Sequence, residues 1–244
     1  MTVFRLQISM ARLGVRPGGL DGQIGPLTRA ALAELAIEYR QLRDLEWPAA
    51  VPVLLEILAD QDTAIPALTL GELRSAFPRF AYREHYPDSW VEGLNAALVF
   101  IHADTLRAAH FLGQLAHESD GFATLEEYAS GSAYEGRVDL GNTRPGDGVR
   151  YKGRGPIQLT GRANYRRISA VLGVPAEEHP EIIASPALGF LTAGLYWLDH
   201  GCNADADEDN ITAVTVAING GLNGVTNRGI YLAAAKQLLR SEGV

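Results

Sequence analysis

Apolar residues recur at helical spacing through most of the chain. In LTRAALAELAIEYR, Leu27, Ala31, Leu32 and Leu35 share one helix face. The preceding segment, FRLQISMARLGV, reads as a first short helix, and the Gly-Gly and Asp-Gly pairs of GGLDGQIGP supply the turn between the two. Residues 1–40 therefore predict a small helical module. Residues 41–68 are apolar but interrupted by Pro48, Pro52 and Pro66, which predicts a linker carrying one short helix, VPVLLEILAD. A third part, 69–244, opens on Thr69-Leu70-Gly71-Glu72, the pattern of a capping box.

Within this third part, helical periodicity appears in WVEGLNAALVFIHAD, TLRAAHFLGQLAHES, RANYRRISAVLGV, SPALGFLTAGLYWLDHG and YLAAAKQLLRSE, with Ser185 as N-cap and Pro186 at the first helical position of the fourth. Strand-like alternation is scarce, so the expected fold is mainly α. The stretch from Gly131 to Gly161 is glycine-rich and almost without apolar runs. A compact domain rarely keeps so long an irregular segment without a use for it.

Composition narrows the function classes. The chain has 244 residues, 47% hydrophobic and 20% charged, which fits a folded globular protein. Its net charge of −8 argues against nucleic acid as the main partner, although Arg144 to Arg167 forms a local basic segment broken by one acid, Asp147. No apolar run approaches the roughly 20 residues a membrane span needs, and Arg5 and Arg12 interrupt any secretory apolar region, so neither membrane insertion nor an export signal is expected. One cysteine, Cys202, excludes an internal disulfide. The histidines are scattered and no HExxH occurs, which disfavours a zinc hydrolase. Asp205, Asp207 and Asp209 imitate the start of a calcium loop but lack its central glycine, with Val216 where the bidentate glutamate belongs. No metal or cofactor is expected.

Chemistry concentrates around Glu118. In HFLGQLAHESDGFATLEEYASG, Phe111, Leu112, Leu115 and Ala116 form a buried stripe, and Glu118 stands at the helix end, just before the Asp120-Gly121 breaker. The next carboxylates are Glu126 and Glu127. A continuous helix would hold them roughly 12–14 Å away; the break lets the chain fold back and bring one of them opposite Glu118. An inverting glycosidase needs such a pair about 6.5–9.5 Å apart, one to protonate the leaving oxygen and one to activate water. The apolar helix makes Glu118 the better acid. By spacing alone such glutamates are a solvated helix terminus in most soluble proteins, and His117 reads as structural.

The strings FLGQLAHESDGF, EEYASGSAYEGRVDLGNTRPGDGVRYKGRGPIQLTGRANY and AVTVAINGGLNGVTNR resemble the catalytic domain of family 19 glycoside hydrolases, above all the bacterial and phage members. The resemblance covers 69–244. It implies a lysozyme-like α-helical domain in which Glu118 is the general acid, Glu127 the general base with Glu126 as the alternative, and Thr160 a holder of the attacking water. It also implies substrate contacts from Gln158 and Asn219, from Arg228 as a basic residue near the cleft, and from the motif neighbours Tyr128, Tyr151, Lys152 and Arg154. LDGQIGPLTRAAL is similar to the turn and second helix of peptidoglycan-binding modules, which implies wall contacts from Asp21, Gly22, Gly25 and Thr28.

The resulting expectation is a monomeric endolysin that hydrolyses β-1,4 bonds of peptidoglycan. It would be held in the host bacterial cytoplasm until a holin releases it to the wall. An endochitinase is the alternative, and a catalytically inactive wall-binding protein is the rival from another class.

Overall fold

The computed structural model describes residues 65–82, 84–172 and 174–241. The residues of the N-terminal module and most of the linker, Asp21, Gly22, Gly25 and Thr28 among them, lie outside this set. The elements below belong to the unit Ala64–Ser169 with Pro175–Val244, apart from the end of one helix.

The unit is mainly helical, and no strand occurs among the described residues. In chain order the helices are α1 (Leu70–Ala76), α2 (Pro87–Phe100), α3 (Thr105–Glu118), the single turn α4 (Asp147–Arg150), α5 (Arg162–Leu172), α6 (Pro186–Asp199), α7 (Cys202–Asp207), α8 (Ile211–Asn219) and α9 (Val225–Ser241). Short 3-10 turns at Ser132–Tyr134, Val138–Leu140 and Pro180–Ala184 join them. The capping box at α1 forms: Glu72 N–H donates to Thr69 Oγ1, and the Glu72 carboxylate accepts from Thr69 N–H at 2.7 Å. Leu68, just ahead of it, is tied to α2, its N–H and C=O both bonded to the buried Asn95 side chain.

α3 is the central helix, enclosed by α7, α8 and α9. Its burial exceeds what the apolar stripe predicts, since every residue from Ala108 to Ala116 is buried, polar ones included. His110 is bonded to Asp209 at 2.8 Å. Gln114 is bonded to Thr215 of α8 and to Arg228 of α9. α9 lies closely along α3 because Gly113 has no side chain; a Cβ there would meet the Leu232 backbone at 3.0 Å. α2 and α6 form the second large contact, again at a glycine, where a Cβ on Gly93 would come within 2.7 Å of the Pro186 carbonyl.

Between these pairs the core is aromatic. Phe80 lies edge-on to Trp90, Trp90 to Phe190, and Phe111 to Trp197, with centroids 5.4–6.1 Å apart. Ser185 and Pro186 open α6 as predicted, but Ser185 makes no side-chain cap; its hydroxyl donates to the Ile182 carbonyl instead. Helices α7 and α8 are not marked by the periodicity read above, and α9 begins at Val225, ahead of the predicted YLAAAKQLLRSE.

Candidate active site

The C-terminus of α3 supplies the first carboxylate. Glu118 is 22% exposed and its Oε1 accepts from Arg228 Nη2 at 2.5 Å. Arg228 is itself 1% exposed. Its remaining donors go to Gln114 Oε1 at 2.6 Å and to the Asn223 carbonyl at 3.3 Å. Gln114 and Glu118 are four residues apart on one helix face, so a single guanidinium reaches both. His117 packs against Gly224, and its Nδ1 is 2.6 Å from Asn227 Oδ1, which fixes the start of α9 beside the carboxylate.

Beyond Glu118 the helix stops in a left-handed run, and the chain folds back. Segment 125–127 returns antiparallel to 153–155, with Glu127 N–H donating to the Gly153 carbonyl at 2.9 Å and Gly155 N–H to Leu125 at 2.8 Å. Tyr128 thereby comes back against the turn, its hydroxyl 3.5 Å from Asp120. The GRGPIQL block is a tight hairpin, closed by reciprocal bonds between Arg154 and Leu159 and by Gln158 in a left-handed conformation at φ 55°.

Glu127 is held at both oxygens. Oε2 accepts from Gly153 N–H at 2.9 Å and Oε1 from the Tyr134 hydroxyl at 3.1 Å. Burial, and then the bond to Glu127, raise the Tyr134 pKa, so the phenol remains a donor. The Thr160 hydroxyl stands beside that phenol and donates to the Gln158 carbonyl at 2.9 Å. Gly153 permits this approach, since a Cβ there would meet Gln158 Oε1 at 2.9 Å and Glu127 Oε2 at 3.1 Å. Glu126 points elsewhere, to Arg154 at 3.2 Å and Lys152 at 3.3 Å.

Of the residues named from sequence, Glu127, Gln158 and Thr160 are brought together, and Glu118 is joined to Arg228. Asn219, exposed at the end of α8, follows Ile218, whose carbonyl accepts from Tyr196. Tyr196 and Asn164 line a recess of about 340 Å³ between α5 and α6, and Asn164 donates to the Thr160 carbonyl at 2.8 Å. Lys152 reaches the Glu127 carbonyl at 3.2 Å. Tyr151 and Arg154 occupy a different place from the one expected: at 2% and 7% exposure they have little surface to offer a sugar. Tyr151 donates to the Glu177 carbonyl, and Arg154 bonds Glu126, Tyr165 and the Arg150 carbonyl, so both form the scaffold under Glu126 and Glu127. Tyr134, Gln114 and Gly153 were not singled out from sequence. All three lie within the strings that carry the family resemblance, but no spacing along the chain marks them out there.

The chain is similar to known proteins. A family 19 glycoside hydrolase model described as class I chitinase matches residues 99–216. A glycosyl hydrolase family 19 domain-containing protein of Haemophilus influenzae is 32% identical over 155 residues, 50% of this chain and 75% of that protein. The chain belongs to glycoside hydrolase family 19. Acidic endochitinase Q of Nicotiana tabacum is 32% identical over 105 residues, 42% of this chain but only 39% of the plant protein. Chitinase C of Streptomyces griseus shares the fold, with a TM-score of 0.58 at 23% identity over 71% of this chain and 77% of that one. A second bacterial family 19 chitinase gives 0.58 at 22% identity over 72% and 95%. The chain is thus a chitinase-like glycoside hydrolase in family and fold.

Proposed function

We propose that the protein is an endolysin-type glycosidase that hydrolyses β-1,4 bonds of peptidoglycan by inversion, with Glu118 as acid and Glu127 as base. Glu118 gives its proton to the leaving glycosidic oxygen as the bond from that oxygen to the anomeric carbon breaks. Water attacks the same carbon from the opposite face, and its proton passes to Glu127. Arg228 then stabilises the carboxylate that Glu118 has become. Gly153 N–H and the Tyr134 hydroxyl fix the orientation of Glu127, and the role of holding the water is assigned in this reading to the Thr160 hydroxyl beside that phenol. The observation carrying this reading is that Glu127, not Glu126, is held by neutral donors at both oxygens, whereas Glu126 is engaged by two cations.

The names of the relatives, endochitinases and chitinases, favour a second substrate, the linear N-acetylglucosamine polymer. Peptidoglycan is preferred on the DGQIGPLT segment. Cytoplasmic residence before release by a holin belongs to the same proposal, as does the monomeric state.

Digests of purified peptidoglycan and of chitin oligomers, followed by proton NMR of the first product, decide the matter. Inversion gives the α-anomer, and a β-anomer as first product excludes the mechanism. Glu118→Gln is expected to lower kcat about 10²–10⁴-fold on whichever glycan is cut. Equal clearing of permeabilised cells by wild type and variant removes Glu118 from the acid role.

A further inference from the structure

The recess between α5 and α6 takes no part in the two-carboxylate step. Its volume of about 340 Å³ is within the range of ligand pockets, and Leu159, Ile168 and Leu195 give it an apolar lining. Two hydrogen bonds tie its walls to the neighbourhood of the reaction. Asn164 on α5 donates to the Thr160 carbonyl at 2.8 Å, and Tyr196 on α6 donates to the Ile218 carbonyl, one residue before Asn219, at 3.2 Å.

The recess also holds polar groups that the fold leaves unused. Thr192 is fully buried, and its hydroxyl has no hydrogen-bond partner among the described residues. A helical threonine can return its hydroxyl to a carbonyl one turn earlier, and leaving it buried with no bond at all is unfavourable. At the rim Arg167 pairs with Asp199, yet Nε and Nη2 of the guanidinium both converge on one oxygen, Oδ2, with Nε at 3.0 Å. Arg167 Nη1 and Asp199 Oδ1 are left without partners among the described residues, and both side chains reach solvent.

These groups select a class of ligand. A ligand that carries both a carboxylate and an ammonium meets the opposite charge for each at the rim, and small apolar side chains suit the lining. A neutral amino sugar uses neither charge in full. The peptide carried by a peptidoglycan strand has the matching set: free carboxylates, a diamino acid and alanine methyl groups. We propose that the recess takes this stem peptide, with a carboxylate on Arg167, the diamino-acid ammonium on Asp199 and a backbone group on the Thr192 hydroxyl. The inference rests on the reading of the substrate as peptidoglycan, since chitin carries no peptide.

The test uses the full chain with Glu118→Gln, so that glycans bind without being cleaved. Calorimetry compares peptide-free glycan strands from peptidoglycan, the same strands with their stem peptides, and N-acetylglucosamine oligomers. The stem-bearing strands are expected to bind more tightly than the peptide-free ones. Adding Arg167→Gln or Asp199→Asn should shrink that advantage about three- to tenfold and leave the peptide-free affinity unchanged, while Arg167→Lys, which keeps the charge, retains most of it. Equal binding of both strands by the parent overturns the stem site and leaves the hydrolase reading standing. An advantage that survives both rim variants overturns it too, as does equal weakening for both strands, the signature of a pair that only holds α5 against α6. Binding of the oligomers and of neither strand overturns the peptidoglycan reading itself, and the stem site with it.

Discussion

Gly153 shows how one missing side chain sets the position of a carboxylate. Its N–H donates to Glu127, and a Cβ at that point would press on both Glu127 and Gln158 from 3.1 and 2.9 Å. Its φ is not in the left-handed region, so Gly153→Ala carries no backbone penalty, and its cost falls on those two side chains. Gly153→Ala is therefore expected to lower kcat by about tenfold or more, given the sensitivity of catalysis to displacements near 1 Å, with little change in melting temperature. Parallel kinetics and calorimetry check it; an unaltered kcat would show that Glu127 tolerates displacement and is not the base. The place of Glu118 at a helix end before Asp120-Gly121 was legible from the order of residues; the acid role proposed for it came from the family resemblance. Its partner Arg228 was legible only as a family position, because burial of that guanidinium depends on α9 lying against α3.

Elements pack here through glycines at helix crossings. At Gly93 the α2 backbone meets the first residue of α6 so closely that Gly93→Ala would place a methyl 2.7 Å from the Pro186 carbonyl and 3.2 Å from the Phe190 ring. Neither neighbour is the free end of a flexible chain, so overpacking of about 1–3 kcal/mol is expected. Urea denaturation reads this as a lower midpoint, with kcat retained well below the melting temperature. A stable Gly93→Ala protein would mean that α2 and α6 can separate without cost. The helices with strong apolar stripes, α3 and α6, were legible in sequence, as was the capping box of α1. α8 was not marked, since Ile211, Thr212, Val214, Thr215 and Val216 are β-branched and favour extended chain locally. Burial of Val214, Thr215 and Ile218 overrides that preference. α7, whose Asp205 and Asp207 imitate in sequence the start of a calcium loop, is helical with Cys202 and Ala206 buried.

Across the whole molecule, charge is arranged locally rather than by net balance. The basic segment from Arg144 to Arg167 is partly consumed internally: Arg166 and Arg162 both bond Glu177, and Arg162 also reaches the buried Asp147. The bonds from Arg166 and then Arg162 depress the Glu177 pKa from 4.5 to about 2. A depressed folded-state pKa contributes stability that is complete above the unfolded value and disappears as pH falls through the folded one. The wild-type melting temperature is accordingly expected to fall as pH drops from 4.5 towards about 2. Glu177→Gln should be less stable at neutral pH, and the gap between the two proteins should close over that same window. A gap that persists below pH 2 would assign the loss to packing instead of ionisation.

What the amino-acid order determined by itself was local: helix periodicity, the break after Glu118, the glycine-rich segment, and motifs whose resemblance named the family. Those signals lie within a few turns of chain, where spacing and turn chemistry act directly. Only the tertiary structure decided which glutamate is held by neutral donors and which by cations. Glu126 and Glu127 are adjacent and chemically alike, and they differ because the pairing of 125–127 with 153–155 turns one towards Tyr134 and Gly153 and the other towards Lys152 and Arg154. Successive residues of an extended segment point to opposite sides, so a contact made across more than twenty residues of chain selects between them.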